Sequence, residues 1–274
     1  MIVFPNCKIN LGLRILRKRN DGYHDLETIY YPLALYDVLE IVRSTEDASR
    51  LSFSTSGSPI EGNGHNNLCV KAYDLLKKNH PGLPAAKIHL HKTIPTGAGL
   101  GGGSADAAFT LKLVSEKFDL RLSTEQLIDY ALQLGSDCPF FIINKPAFAE
   151  GRGEILETIL LDLSAYKFIL VNHGIHINTA EAFSGITPAL STKSLKEIIQ
   201  QPIYTWKSEL VNDFEKTVYG KYPEIEVMKN KLYDGGAVYA SLSGSGSTVY
   251  GIFEKNAVVN HPSPSPFFWK ELNG

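Results

Sequence analysis

Hydrophobic and polar positions alternate with a period of two through much of the first hundred residues. The alternation is clear in residues 9–15, 38–42, 51–55 and 88–94, and another apolar run covers residues 26–33. This period is typical of strands with one buried face, and turn residues such as Asn20, Asp21 and Gly22 separate the runs. We therefore predict an antiparallel sheet in this part of the chain.

Elsewhere the apolar residues recur every three to four positions, which predicts helices. Residues 67–78 and 105–118 show this spacing, and Ser123 and Gln126 have the spacing of a capping box that opens a helix ending near residue 134. The remaining predicted strands lie near residues 147–150, 155–159, 167–171, 237–242 and 248–253, and the remaining helices near 179–183, 194–200, 212–219 and 223–233.

This mixture of strands and helices lacks a regular βαβ repeat and predicts an α+β fold. Two domains are expected, 1–160 and 161–274, although no flexible linker marks the boundary. The proline-rich stretch at residues 261–266 cannot extend a helix or a central strand, and we expect it to lie on the surface.

Composition narrows the possible partners. The chain has 27 Lys and Arg against 29 Asp and Glu, a net charge of −2, whereas nucleic-acid binding usually depends on a basic surplus. No apolar run approaches the roughly 18 residues of a membrane span, and the first residues lack a secretion signal. We therefore expect a cytoplasmic protein that binds neither nucleic acid nor membrane, with its three scattered cysteines buried as free thiols.

Glycine is distributed unevenly, with five of the 23 glycines among the seven residues 97–103. The cluster lies between a predicted strand and a predicted helix, where backbone N–H groups and the helix dipole favour an anion. A phosphate cradle is the direct interpretation, and a structural turn is the alternative. Gly97, Gly99 and Gly102 also satisfy the weak dinucleotide pattern GxGxxG, while Gly103 stands where a Walker A loop requires lysine.

A second glycine-serine stretch, residues 243–248, lies between two predicted strands. By itself it is consistent with a hairpin turn. Together with the first loop, it could form the opposite wall of one pocket.

Four residues are candidates for chemistry. Asp137 precedes a highly apolar segment and is either a partly desolvated catalytic base or the N-cap of a helix that contains Pro139. Lys8 interrupts an apolar strand, which requires a partner for its ammonium group, and Asp137 would be such a partner. Tyr23 and His24 either form a surface turn or hold a planar base.

Five motifs in order resemble those of the GHMP kinase superfamily. They are Lys8-Ile9-Asn10-Leu11, the stretch around Asp21-Gly22-Tyr23-His24, the glycine cluster, Leu134-Gly135-Ser136-Asp137-Cys138-Pro139, and Gly244-Ser245-Gly246. The resemblance covers residues 4 to about 253 and implies an α+β, two-domain GHMP kinase fold with the active site in the interdomain cleft.

Within the superfamily, the Asp-Gly-Tyr-His stretch is similar to that of members that phosphorylate the 2-hydroxyl of a cytidine-diphosphate methylerythritol in non-mevalonate (MEP) isoprenoid biosynthesis. ATP and Mg²⁺ are the implied cofactors. A kinase for another small alcohol, such as homoserine or mevalonate, is the alternative within the superfamily, and a non-catalytic dinucleotide-binding module is the alternative outside it. The protein is expected to be a monomer or a homodimer.

The resemblance also implies residue roles. Asp137 would be the base, and Lys8 would pair with it and stabilise developing charge. The implied substrate-binding residues are Asn10, Tyr23, His24, Gly244 and Ser245. The implied ATP-binding residues are Asn67, Leu68, Lys92, Pro95, Gly97, Gly99, Leu100, Gly101, Gly102, Gly103 and Ser104. Asp106 departs from the superfamily, where Asn is frequent at this position.

Overall fold

A computed structural model describes residues 1–44, 51–60, 66–188, 193–259 and 268–274. The proline-rich stretch at 261–266 lies outside the described residues. The chain divides into two compact units, and each unit is built from several separate stretches of the sequence. The first unit contains residues 1–7, 35–96 and 101–145, and the second contains 8–34, 97–100 and 146–274. The division near residue 160 stays a prediction.

The elements are named in chain order. The strands are β1 (Ile2–Val3), β2 (Asn6–Lys18), β3 (His24–Tyr36), β4 (Val38–Arg43), β5 (Ser52–Gly57), β6 (Ala86–Lys92), β7 (Ala147–Glu150), β8 (Ile155–Thr158), β9 (Tyr166–Asn172), β10 (Tyr239–Leu242), β11 (Val249–Glu254) and β12 (Phe268–Asn273). The helices are α1 (Leu68–Asn79), α2 (Gly102–Lys117), α3 (Thr124–Leu134), α4 (Cys138–Ile143), α5 (Thr179–Ser184), α6 (Leu195–Ile198), α7 (Trp206–Glu209), α8 (Phe214–Lys221) and α9 (Pro223–Asp234), with a 3-10 turn at Ile203–Thr205. The predicted α+β class is confirmed.

The first unit contains a sheet of order β1-β4-β6-β5 and the helices α1 to α4. Strand β4 is antiparallel to β1 and β6, but β5 pairs with β6 in parallel, from Ser52↔Lys87 to Gly57↔Lys92. The prediction of a purely antiparallel sheet was therefore wrong. A parallel pair needs a long crossover, and α1 lies in the connection between β5 and β6.

The second unit contains most of the sheet β2-β3-β7-β8 and all of the sheet β10-β11-β9-β12. Its hydrophobic core joins both sheets to helices α8 and α9. Core residues include Leu13 from β2, Val171 from β9 and Leu232 from α9, all of them buried. Strand β12, which pairs antiparallel with β9, was not predicted because the sequence after residue 255 carries no clear alternation.

The start of helix α3 was predicted correctly, whereas the start of α2 was predicted too late in the sequence. Ser123 and Gln126 form the predicted capping box of α3. Helix α2 begins at Gly102, three residues before the predicted start, because Gly101 takes a left-handed conformation as its N-cap and the helix opens within the glycine cluster.

The three cysteines are free and buried, as predicted. Burial raises the pKa of Cys69, and it raises the pKa of Cys138 to about 12. Within the described part of the chain, no helix has the length and apolar character needed to span a membrane.

Candidate active site

The glycine cluster, residues 97–104, forms a loop that runs into the first turn of α2, and we call it the glycine loop. Gly97, Gly99 and Gly101 have φ angles of 66°, 77° and 69°. The N-cap residue of α2 is Gly101, which has no side chain to cap the helix, and the first turn contains no acidic residue. The first N–H groups of this 16-residue helix are therefore not bound by an N-cap side chain, and such groups together with the helix dipole form an anion site.

Lys92, at the end of β6, lies in a buried ionic cluster, which we call the Lys92 cluster. Its ammonium group donates to Asp37 and, at 2.8 Å, to Asp106. Asp37 also accepts the backbone N–H groups of Thr93 and Ile94 at 2.6 and 2.9 Å. The cluster therefore joins the end of β6 to the second turn of α2.

Gly102 lies directly over this cluster. A Cβ at Gly102 would lie 3.2 Å from Lys92 Nζ and 2.9 Å from Ile94 Cγ2. Sequence reasoning missed Asp37, whose only signal was an acidic residue between two strand-forming runs. The predicted ATP contact of Lys92 stays a prediction, and the structure shows that this side chain also supports the start of α2.

Two carboxylates and one ammonium group share the Lys92 cluster. Burial raises the pKa of Asp106 to about 7, against the opposing effect of Lys92. Burial lowers the pKa of Lys92, but Asp106 and Asp37 more than offset it, so that the pKa of Lys92 is raised overall. Lys92 therefore stays positively charged at neutral pH, and Asp106 exchanges its proton near neutrality.

Asn67 and Leu68 begin helix α1. The Asn67 side chain caps the helix by accepting the N–H of Cys69 at 2.8 Å. Leu68 Cδ1 would lie 3.8 Å from a Cβ at Gly103. The start of α1 therefore lies beside the first turn of α2, and the role of both residues in adenine binding stays a prediction.

Asp137 is the N-cap residue of α4, and Pro139 lies in the first turn of that helix. Its side chain makes no capping hydrogen bond, so the capping alternative is correct for the position but wrong for the side chain. The adjacent Cys138 is the first residue of α4, and this helix packs against α2. Asp137 therefore lies at the start of a helix that contacts the helix following the glycine loop.

Lys8 lies in β2 with only 3% of its surface exposed. Its ammonium group donates to Asn10 Oδ1 and, at 3.2 Å, to the carbonyl of Gly99, and it lies 5.2 Å from the centre of the Tyr30 ring. Asn10 is held in turn by Thr28 at 2.9 Å. The ammonium group is thus fixed against one glycine of the loop, and its pairing with Asp137 stays a prediction.

The second glycine-serine stretch, residues 243–248, connects the antiparallel strands β10 and β11, and we call it the late loop. Ser243 Oγ donates to the carbonyl of Gly99 at 2.8 Å, and Thr248 N donates to the carbonyl of Ala98 at 3.1 Å. The hairpin interpretation is therefore confirmed, and the late loop also contacts residues 97–100. Its role as a wall of a pocket stays a prediction.

Asn212 supports the late loop and was missed by sequence reasoning. Its buried side-chain amide donates to the carbonyls of Leu242 and Gly244, both at 2.8 Å, and accepts the N–H of Phe214 at 3.0 Å. An Asn at the start of a predicted helix is a capping signal, but nothing in the neighbouring sequence indicates bonds to carbonyls about thirty residues later.

Tyr23 and His24 lie at the tip of the β2–β3 hairpin. The Tyr23 ring is 54% exposed, and the Arg152 guanidinium lies 4.8 Å from its centre. The His24 ring stacks on Phe183, with 4.7 Å between ring centres and 13° between planes. Burial and the nearby Lys18 lower the pKa of His24, which keeps this imidazole neutral at pH 7. Phe183 and Arg152 gave no sequence signal that would pair them with the hairpin.

Comparisons with known proteins agree with this geometry. The model "GHMP kinases N terminal domain" matches residues 67–145, and "GHMP kinases C terminal" matches residues 193–260. The chain is 54% identical over 256 residues to a 4-diphosphocytidyl-2-C-methyl-D-erythritol kinase of Azobacteroides pseudotrichonymphae, covering 93% of this chain and 94% of the relative. It is 53% identical to the kinase of the same name from Bacteroides fragilis, covering 92% of each chain.

Solved structures give the same result. A crystal structure of 4-(cytidine 5'-diphospho)-2C-methyl-D-erythritol kinase superposes with a TM-score of 0.82 at 26% identity and covers 100% of both chains. A mevalonate kinase with 14% identity shares the fold, with a TM-score of 0.66 over 92% of this chain and 91% of that one. The chain therefore belongs to the GHMP kinase family, in the group of the 4-diphosphocytidyl-2-C-methyl-D-erythritol kinases.

Proposed function

We propose that this chain transfers the γ-phosphoryl group of ATP to the 2-hydroxyl of 4-diphosphocytidyl-2-C-methyl-D-erythritol, a step of non-mevalonate isoprenoid biosynthesis. The relatives at 53–54% identity carry the name of this activity. The structural observation that carries the proposal is the glycine loop at a helix N-terminus that lacks an N-cap side chain, with Asp137 at the start of α4, which packs against α2. A homoserine or mevalonate kinase is the weaker alternative, because those solved structures share only the fold.

Asp137 is proposed as the general base. The carboxylate does not cap α4, and it is proposed to accept the proton of the substrate hydroxyl. The oxygen then forms a bond to the γ-phosphorus, and the bond between that phosphorus and the bridging oxygen of ADP breaks. The Lys8 ammonium group is proposed to stabilise the negative charge that develops on the transferred group.

The glycine loop is proposed to bind the phosphate chain through backbone N–H groups from Gly99 to Ser104. Glycine permits the close approach of phosphate oxygens to the main chain. A nucleotide would use the uncapped first turn of α2, with Asn67, Leu68 and Lys92 near the adenine. Mg²⁺ is proposed to arrive bound to the phosphates of ATP, because substrate phosphates commonly supply much of its coordination. Within the described part of the chain, no group of three or more His, Cys, Asp or Glu residues could hold a metal ion.

The cytidine end is proposed to bind at Tyr23 and His24. The exposed ring of Tyr23 offers a face for base stacking, and the neutral His24 imidazole offers both a donor and an acceptor. Asn10, Gly244 and Ser245 are proposed to contact the methylerythritol end. We also propose that the protein acts in the cytoplasm, as a monomer or a homodimer, without nucleic acid or membrane.

A substrate panel tests the proposal. ADP release is measured with ATP, Mg²⁺ and one of three alcohols, namely the cytidine-diphosphate compound, homoserine or mevalonate. We expect turnover only with the cytidine compound, and preference for another alcohol would reverse the choice of substrate. Binding of NAD without any ATP binding would favour the dinucleotide module.

The Asp137→Asn variant tests the role of the base. It keeps the shape of the side chain but removes the proton acceptor, so kcat is expected to fall at least about 100-fold. An unchanged kcat would show that Asp137 is only structural.

A further inference from the structure

The segment between β9 and α5, residues 173–178, carries an exposed histidine that has no role in the mechanism above. The segment is anchored where it leaves β9. Asn172 accepts the N–H of Gly174 at 2.7 Å and donates to Ser247 and Thr248 of the late loop at 3.1 and 3.0 Å. Its first residues are therefore held by buried hydrogen bonds.

The following residues contact the late loop at alternate positions. Ser247 Oγ donates to the carbonyl of Ile175. Ile177 Cδ1 would lie 3.0 Å from a Cβ at Gly246, and Thr179 Oγ1 lies 3.3 Å from Ser245 Oγ. Residues 175, 177 and 179 thus fix the segment along the late loop, and one of the two intervening residues lies against the glycine loop.

That intervening residue is His176, and its ring lies against the glycine loop. A Cβ at Gly97 would lie 2.8 Å from His176 Nδ1 and 2.9 Å from its Cε1, so no larger residue fits at Gly97 without moving the ring. In the described part of the chain, no hydrogen bond or ion pair is found between the His176 ring and another residue. The position of the ring is therefore set by its own segment, while its nitrogen atoms remain available.

We propose that His176 donates a hydrogen bond from its ring to the phosphate chain of a nucleotide held at the glycine loop. The inference rests on the proposed function, since it assigns a further ligand-binding residue to the same loop. The backbone N–H groups of the glycine loop are proposed to bind some of the phosphate oxygens. An imidazole N–H beside this loop would donate a hydrogen bond to a phosphate oxygen that they do not bind.

The experiment compares nucleotide binding by the intact chain and its variants. Dissociation constants are measured by titration calorimetry for a non-hydrolysable ATP analogue with Mg²⁺ and for adenosine, which has no phosphate. His176→Ala is expected to weaken binding of the ATP analogue about 10- to 150-fold, the range for loss of a hydrogen bond to a charged group. Binding of adenosine is expected to be unchanged.

Two further variants separate donation from packing. His176→Phe keeps a flat ring against Gly97 but has no N–H, and it is expected to bind the ATP analogue as weakly as His176→Ala does. His176→Gln keeps a donor and is expected to recover part of the affinity. His91→Ala, which removes another exposed histidine in β6, is the control and is expected to match the wild type.

Wild-type affinity in His176→Phe would overturn the inference and leave the ring as a packing group only. Equal losses for adenosine and the ATP analogue would also overturn it, because the effect would not depend on phosphate. If the wild-type chain binds neither nucleotide ligand, the proposed function itself fails, and this outcome is distinct from the two above.

Discussion

The glycine loop and the late loop have similar composition but different structural tasks. The glycine loop leads into the 16-residue helix α2 and leaves the first N–H groups of that helix without an N-cap side chain. The late loop connects two antiparallel strands, and Asn212 binds the carbonyl of Gly244 within it and that of Leu242 just before it. A glycine-rich sequence therefore predicts that other atoms can come close to the backbone. The flanking helices or strands determine whether those atoms belong to a ligand or to another segment of the chain.

The largest expected effect is at Gly99, where the two loops touch. A Cβ there would lie 2.0 Å from the carbonyl oxygen of Ser243, and the residue has a φ of +77°. Gly99→Ala should therefore lower the free energy of unfolding by at least about 3 kcal/mol, from backbone strain and the clash together. Urea unfolding checks this prediction, and near-native stability would mean that the two loops can separate without cost.

Asn212→Ala tests the late loop by itself. It leaves the carbonyls of Leu242 and Gly244 without their buried donor, so the free energy of unfolding should fall by about 2–3 kcal/mol. We expect the KM for the cytidine substrate to rise more than the KM for ATP, because the late loop is proposed to contact the substrate. A larger rise in the KM for ATP would contradict this division of roles.

Asp106→Asn tests the support beneath the glycine loop. Because burial raises the pKa of Asp106 from 3.8 to about 7, the folded state retains this proton where the unfolded state has lost it. The resulting stabilisation is complete below about pH 4 and disappears as the pH rises through 7, so the wild type should lose about 1 kcal/mol or more relative to the variant over this range.

Urea unfolding of both proteins at pH 5 and pH 8 measures this difference. Titrating groups outside the Lys92 cluster contribute equally to the two proteins and cancel in the comparison. The same stability difference at both pH values would show that Asp106 keeps its charge throughout.

The smallest structural effect is expected at Gly103, which tests the glycine loop by itself. The nearest atom to an added Cβ is Leu68 Cδ1 at 3.8 Å, so Gly103→Ala fits and should raise the free energy of unfolding by up to about 1 kcal/mol. If phosphate oxygens approach this backbone, the KM for ATP should rise although the protein is more stable. Unchanged steady-state kinetics would place the phosphates away from Gly103.

The sequence was most informative where a signal is local. Hydrophobic spacing located α1 and α9, the Ser123 capping box located the start of α3, and clustered glycines located the loop before α2. The residues that were missed act through distant partners. Asp37 binds a lysine 55 positions later, and Asn212 binds carbonyls 30 and 32 positions later, so neither role can be read from neighbouring residues.

Strand β5 shows a second limit. Its alternation identified a strand, but pairing direction depends on the connection to its neighbour, which here contains α1. At Asp137 the position was predictable and the side-chain role was not, because an N-cap position does not by itself decide whether the carboxylate caps the helix.

The stretches that form the two units alternate along the chain, and this affects the order in which the chain can fold during synthesis on the ribosome. Strand β9 pairs with β11 and β12, both made after it, while β3 pairs with β7 from more than a hundred residues later. Such non-local pairings slow folding, because long stretches of chain must be closed before any contact is gained. The first unit can close once residue 145 has emerged, whereas the second, which includes residues 8–34, has to wait for β11 and β12. Early strand β2 therefore remains without much of its final core for most of translation, and this interval is when the chain depends most on chaperones.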